Sequence, residues 1–230
     1  MKRVVAEELL DMPNQSPIDV ALCLDDLRSV NRRAGGNKLH SALLQRASAG
    51  LDTAETMQLL EVASGRADVL QHAALGLQRN GYKLQITLLD QKTEHFPSTS
   101  HWEAQLPKPE CVLGDALAMP FADNSFDIVS CCLFVHHLRP EEFAQFLASA
   151  LRIARHAVVI NDLERSRIHW LLAHAGRVKY RSRLTKYDAA VSVRRAYTLK
   201  EMQEMLINTG HRFDCWRAYL FRLGAIIWKK

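Results

Sequence analysis

The run Met57-Gln58-Leu59-Leu60-Glu61-Val62-Ala63-Ser64-Gly65-Arg66-Ala67-Asp68-Val69-Leu70 decides how this chain is read. An apolar stretch ends in a carboxylate, passes through a turn of small residues, and opens into helical spacing. In an α/β sheet, this is how the end of the first strand grips a nucleotide-type ligand. Only Gly65 remains where such loops often carry three glycines. Ala67 falls where glycine or alanine is tolerated for packing, whereas the methyl group of Ala63 restricts a turn that often needs glycine.

Outward from that run, strands and helices alternate. Residues 57–63, 84–89, 111–113, 126–133 and 157–160 read as strands; 67–79, 140–153 and 198–209 read as helices. Gly81 and Gly210 sit just past helix ends, as C-caps do. Residues 212–221 and 222–228 read as two further strands, the last antiparallel. The expected fold is α/β: a Rossmann-like, seven-stranded, mostly parallel sheet with helices on both faces. Upstream, residues 4–10, 18–30 and 38–47 show helical apolar spacing, punctuated by Pro13, Pro17 and Gly35-Gly36. The expected organisation is a helical cap over residues 1–55 and an α/β domain over 56–230. Residues 163–197 are too long for an ordinary connection and form a helical lid insertion with Ile168, Leu171, Leu172 and Ala175 on one buried face.

Four carboxylates fall at or just past predicted strand ends: Glu61, Asp90, Asp115 and Asp162. A parallel sheet brings those ends to one edge, so the four converge on one crevice. Asp90, placed after the second strand, suits a pair of ribose hydroxyls. Glu61 discriminates among cofactors. A pyrophosphate seated on the following helix would be repelled by an acid just before the turn, whereas a cofactor with an ammonium and a sulfonium is favoured. The missing glycines agree, since no bulky phosphate needs cradling.

Residues 59–69, Leu88-Leu89-Asp90, Gly114-Asp115-Ala116 and Met119-Pro120-Phe121-Ala122-Asp123-Asn124-Ser125-Phe126-Asp127 resemble the class I S-adenosylmethionine-dependent methyltransferases. Cys131-Cys132-Leu133-Phe134-Val135-His136-His137-Leu138 resembles the segment after the fourth strand in ubiquinone/menaquinone-type methyltransferases. The resemblance spans about residues 57–162. It implies S-adenosylmethionine as cofactor and S-adenosylhomocysteine as product. Glu61, Ala63, Ser64 and Gly65 would surround the methionine part, and Asp90 would hold the ribose. Asp115 would accept from the adenine amino group, with Ala116 offering its amide. Residues 161–166 and 192–197 also resemble a bacterial subgroup associated with secondary metabolism, in which Asn31-Arg32 would lie near the cofactor.

Methyl transfer needs alignment and exclusion of water more than it needs a base. A base matters when the acceptor is a hydroxyl, and a neutral imidazole suits that task. His136 and His137 follow the fourth strand; if that segment stays extended only one faces the crevice, and His137 is the expected catalytic base. Residues 163–197 carry nine Lys/Arg and two acids, a local balance of +7 against +5 for the whole chain. Arg165 and Arg194 in this segment are expected to hold a carboxylate or phosphate on the acceptor.

The sequence lacks an Asn/Asp-Pro-Pro-aromatic segment after the fourth strand and the paired glutamates that protein-arginine methylation requires. Aromatics interleaved with basic residues are sparse. The expected partner is therefore a small-molecule acceptor, anionic ones included, and O-methylation of a phenolic, polyketide-like or other secondary metabolite is the first reading. An RNA methyltransferase, or a non-catalytic protein that keeps the fold as a partner module, are the alternatives. No metal is expected, because the five cysteines lack ligand spacing. Absence of a long apolar run argues against a membrane span, and the scattered thiols with an acid-bearing N-terminus suit a reduced, cytoplasmic monomer or homodimer.

Overall fold

A computed structural model describes residues 1–229. Its elements, in chain order, are α1 (Pro17–Arg33), α2 (Gly36–Ser48), β1 (Thr56–Val62), α3 (Asp68–Arg79), β2 (Lys83–Asp90), β3 (Glu110–Leu113), β4 (Phe126–Cys132), α4 (Pro140–Ile153), β5 (Ala154–Leu163), α5 (Arg167–Gly176), α6 (Arg183–Arg195), α7 (Leu199–Ile207), β6 (Phe213–Ala218) and β7 (Arg222–Trp228). One seven-stranded sheet runs in the order β3-β2-β1-β4-β5-β7-β6. Strands β1 to β5 pair in parallel, and β7 is antiparallel to both neighbours. The expected fold class holds.

The period-2 pattern of β1 explains its double burial. Met57 and Leu59 pack into a cluster with Leu39, Leu43 and Leu44 of α2 and Leu70 and Leu77 of α3. Leu60 and Val62 point the other way, into a cluster with Phe143, Phe146 and Leu147 of α4 and Met202 and Leu206 of α7. Each fully buried leucine or phenylalanine contributes roughly 1.5–3 kcal/mol through removal from water. Helix α7 begins with a reciprocal cap: Thr198 Oγ1 accepts from Glu201 N, and Glu201 Oε2 accepts from Thr198 N.

Three expectations about the flanking segments change. Residues 4–10 are not helical, because their backbone groups find partners elsewhere: Val4 N donates to the Arg194 carbonyl, and Leu9 N and Leu10 N donate to the Asp188 carboxylate. Helix α2 packs on the sheet through its apolar face, so the sheet-covering layer begins at Gly36 and only the segment before it lies over the strand edge. Finally, α5 packs against α6 and the turn between them without burying any residue. Ile168, Leu171 and Leu172 are 62, 58 and 56% exposed, and Ala175 is exposed as well. Their helical spacing is real, but no apolar surface lies opposite it.

No helix of the described residues is long and apolar enough to cross a membrane.

Candidate active site

The sheet order reverses between β1 and β4, and the crevice at such a switch point is where ligands bind in α/β sheets. A cavity of about 750 Å³ opens there. Strand ends form its floor, while α1, α6 and the N-terminal segment form its walls through Leu24, Leu27, Thr185, Val193, Glu8 and Leu10. Glu61, Ala63, Ser64, Gly65, Asp90, Asp115, Ala116 and His137 all line it.

The turn after β1 keeps a glycine-type backbone without the glycines. Ala63, Gly65 and Ala67 have φ of 52°, 50° and 54°, all left-handed. An L-residue in that region costs roughly 1–2 kcal/mol, so the surroundings must hold it there. They do: Ser64 N donates to the Leu89 carbonyl, Gly65 N to Asp90 Oδ2 at 2.8 Å, and Ala67 N to the Ser64 carbonyl. Arg66, buried, reaches Asp25 of α1 at 2.7 Å and ties the turn to the helix above. Ala63→Val is therefore expected to lower stability by about 2 kcal/mol or more, whereas Ala63→Gly stays within about 1 kcal/mol of the parent. Denaturant unfolding of both variants checks this; a neutral valine would show that the backbone at residue 63 is not left-handed.

Around the turn, the carboxylates are held by the backbone. Asp90 Oδ1 accepts from Lys92 N at 3.1 Å and lies 3.3 Å from His95 Nδ1. Glu61 is 2% exposed, accepts from Ser130 Oγ, and lies 3.6 Å from Nε2 of the fully buried His40 on α2. Asp115, at the outer rim, accepts from Leu117 N at 2.9 Å. Gly114 is needed where it stands, since a Cβ there would come within 2.9 Å of the Leu89 side chain.

A residue that the sequence did not single out, Arg222, completes this end together with Asn31. Arg222, the first residue of β7, is fully buried; its Nη2 donates to Asn31 Oδ1 at 2.6 Å, and its Nη1 has no partner. Burial lowers its pKa, and it lies beside Cys132, whose thiol burial pushes up. Asn31 lines the cavity as expected, whereas Arg32 is exposed. No sequence signal pairs a helix residue with an arginine 191 positions away.

At the other end, the segment after β4 does not stay extended. Residues Val135–His137 form a 3₁₀ turn that brings the two histidine rings together, centroids 4.2 Å apart and planes inclined at 41°, so both face the same cluster. His136 is buried between carboxylates: Nδ1 lies 2.7 Å from Asp162 Oδ1, Nε2 lies 3.5 Å from Glu8 Oε1, and its backbone N donates to Asp162 Oδ2. Burial alone would lower its pKa, but Asp162 and then Glu8 override this and raise it to about 9. Asp162 is held below its usual range by that imidazole despite burial. His137 is half-buried, with Nδ1 2.9 Å from Asp11 Oδ2 and Nε2 3.9 Å from Glu8 Oε2. Arg195 of α6 donates to the carbonyls of Ala6 and His137. Asp188, which takes the amides of Leu9 and Leu10, is pushed up to about 6 by burial.

The two arginines expected to bind substrate lie elsewhere. Arg165 is buried outside the cavity, each of its three guanidinium nitrogens donating within the fold, to the carbonyls of Met1 and Ala196 and to Glu201 Oε1 at 2.5 Å. Arg194 is exposed and absent from the cavity wall, with its backbone carbonyl holding Val4 N. A guanidinium tied at all three nitrogens to the fold, and outside the cavity, is not placed to meet an acceptor. The residue between Arg194 and Ala196, not Arg194 itself, is the one turned toward the histidines.

Residues 60–160 match the family profile described as methyltransferase domain. Solved structures with this architecture include an S-adenosylmethionine-dependent methyltransferase from Aquifex aeolicus, 18% identical over 94% of this chain and 100% of that one, with a TM-score of 0.62. The plantazolicin methyltransferase BpumL, in complex with a pentazolic desmethylPZN analog and SAH, is 14% identical over 93% and 96% of the two chains, with a TM-score of 0.63. A methyltransferase in complex with the Haloferax volcanii Trm112 activator is 14% identical over 89% and 95%, with a TM-score of 0.54. No curated protein matches the chain in sequence. At these identities the likeness is one of fold.

Proposed function

We propose that the protein is a class I S-adenosylmethionine-dependent methyltransferase, a reading supported by the family match over residues 60–160 and by the shared fold, and that it methylates an oxygen of a small-molecule acceptor, a phenolic or polyketide-like secondary metabolite. The carrying observation is the division of one cavity into a carboxylate-ringed turn at one end and a histidine–carboxylate cluster at the other.

The donor set fits the cofactor. Asp90 uses one lone pair of each oxygen on the backbone and keeps the others for ribose hydroxyls. Glu61 favours an ammonium. The unpaired Nη1 of Arg222 suits a carboxylate, which together with Glu61 would recognise an amino-acid zwitterion. Asp115 and Ala116 line the same cavity and are assigned to the adenine edge. S-adenosylmethionine bound there supplies an electrophilic methyl group to the acceptor's lone pair and leaves as S-adenosylhomocysteine. Walls from α1, α5 and α6 exclude water from the acceptor.

His137 is the proposed base. Asp11 engages its Nδ1, which leaves Nε2 to take the proton released as a hydroxyl becomes an ether. His136 is less suited, since its raised pKa keeps it protonated at neutral pH. The same chemistry suits a reducing, cytoplasmic setting, where the five free thiols are stable.

Calorimetry with S-adenosylmethionine and S-adenosylhomocysteine tests the reading, and absence of binding by both overturns it. With a phenolic acceptor, His137→Ala is expected to lower kcat by about 100-fold or more at neutral pH, and less as pH approaches the acceptor's own pKa. A pH-independent loss would assign His137 to positioning.

A further inference from the structure

The histidine cluster holds more carboxylate than one base requires. Glu8, His136 and His137 each bring one ligand atom into a group whose members lie within 4.8 Å of one another. We infer that Glu8 and the Nε2 atoms of His136 and His137 form a binding site for a divalent transition-metal cation, represented by Zn²⁺.

Spacing is the first argument. His136 Nε2 is 3.5 Å from Glu8 Oε1, and His137 Nε2 is 3.9 Å from Glu8 Oε2. Ligands bound at about 2.0–2.1 Å in a tetrahedron stand roughly 3.3 Å apart, so three ligand atoms within 4.8 Å of one another would close around an ion by drawing together. Those separations are too long for hydrogen bonds. Glu8 is 6% exposed, and its Oε1 accepts none; Arg195 Nη1 stays 3.9 Å away. Without an ion, Glu8 is balanced at longer range by the two imidazoles and Arg195, a role that a bound cation would take over.

The outer partners make the second argument. Metal-binding imidazoles carry a carboxylate on the other ring nitrogen, which fixes the tautomer and strengthens the ligand. Both histidines do so, through Asp162 at 2.7 Å and Asp11 at 2.9 Å. Each therefore turns Nε2 inward. Two imidazoles and one carboxylate select zinc, iron or a similar borderline ion over magnesium. Three protein ligands leave a position open, and the cluster lines the cavity.

This site is separate from the cofactor end but shares His137 with the acceptor end. A bound ion takes the lone pair that the base would use. The acceptor oxygen would then meet the ion rather than the imidazole.

The test uses the full chain after chelator treatment, titrated with Zn²⁺ by calorimetry and with Co²⁺ by visible absorption. The expected result is one ion per chain, with a dissociation constant of about 1 µM or lower. Mg²⁺ is expected to give no heat. Glu8→Gln and His137→Ala should each weaken Zn²⁺ binding about 100-fold, and Asp11→Asn about 10-fold or more. Should Glu8→Gln fail to fold, as read by near-ultraviolet circular dichroism, Asp11→Asn carries the comparison. No binding up to about 1 mM, unchanged affinity in the variants, or loss of binding in Cys111→Ser overturns the site. S-adenosylmethionine titrated into the same samples separates the two readings: intact cofactor binding without Zn²⁺ binding removes the metal site alone.

Discussion

Asp90→Ala is expected to weaken S-adenosylmethionine binding by about 100- to 10,000-fold. Its carboxylate, 8% exposed, is fixed by Gly65 N at 2.8 Å and Lys92 N at 3.1 Å. The remaining lone pairs face the cavity, and each hydrogen bond to a charged acceptor is worth about 1.5–3 kcal/mol. Two such bonds, to the two ribose hydroxyls, give the range stated. Alanine also frees the Gly65 amide, so the turn itself loosens and part of the loss is preorganisation. Asp90→Asn separates the contributions: it retains shape and one carbonyl oxygen and should fall between the parent and alanine. Calorimetry decides, and an alanine variant within threefold of the parent would refute the ribose assignment.

The second large effect concerns stability. Asp162→Ala removes the main partner of a buried imidazole and is expected to cost about 3–5 kcal/mol at pH 6. In the metal-free parent, the folded-state pKa of His136 is raised from 6.5 to about 9. Its contribution is fully present below pH 6.5 and is lost as pH rises through 9. That window is worth about 3 kcal/mol, at about 1.4 kcal/mol per unit. Glu8 and Asp162 are lowered, so their contributions appear above about pH 4 and vanish as pH falls further. His137 and Arg195 also face the cluster, from the same turn and from α6. Asp188, raised to about 6 by burial, removes stability as pH rises from about 4 to 6, so the parent should be most stable near pH 5 and decline toward pH 9. In Asp162→Ala that decline should flatten. Urea midpoints at pH 5, 6, 7.5 and 9 measure both; an equal slope in the two proteins would show that His136 does not carry it.

The sheet and the cofactor turn were legible because their signals are local. Met57 and Leu59 alternate with Leu60 and Val62, and the strand ends follow from topology, so Glu61, Asp90 and Asp115 could be placed together without coordinates. The acceptor end was not legible. Glu8 and Asp11 reach the histidines only because residues 4–10 give up a helix to hydrogen-bond with Asp188 and the Arg194 carbonyl. A helical pattern of Val4, Leu9 and Leu10 cannot report a competing tertiary partner 178 or 179 residues away. The arginine count likewise revealed charge but not its use. Arg165 is consumed by the chain's own carbonyls and Glu201, and the cavity's guanidinium is Arg222, isolated in sequence at a strand start.

The segment before α1 joins the rest only along its path. Arg3 stacks over Tyr197 at 4.1 Å and donates to the carbonyls of His136 and Leu138, while Glu8 and Asp11 reach the cavity. It contributes no strand to the sheet, and it is tied to the end of β2 by Lys92 Nζ, which donates to the carbonyls of Leu10 and Asp11. The cofactor end is thus written in the scaffold, whereas part of the acceptor end, Glu8 and Asp11, comes from a short stretch that a graft could exchange whole. Chimeras that swap residues 1–12 between proteins of this fold should change which acceptors are taken far more than they change the methyl donor's affinity. In this architecture, selectivity can drift without asking the scaffold to change.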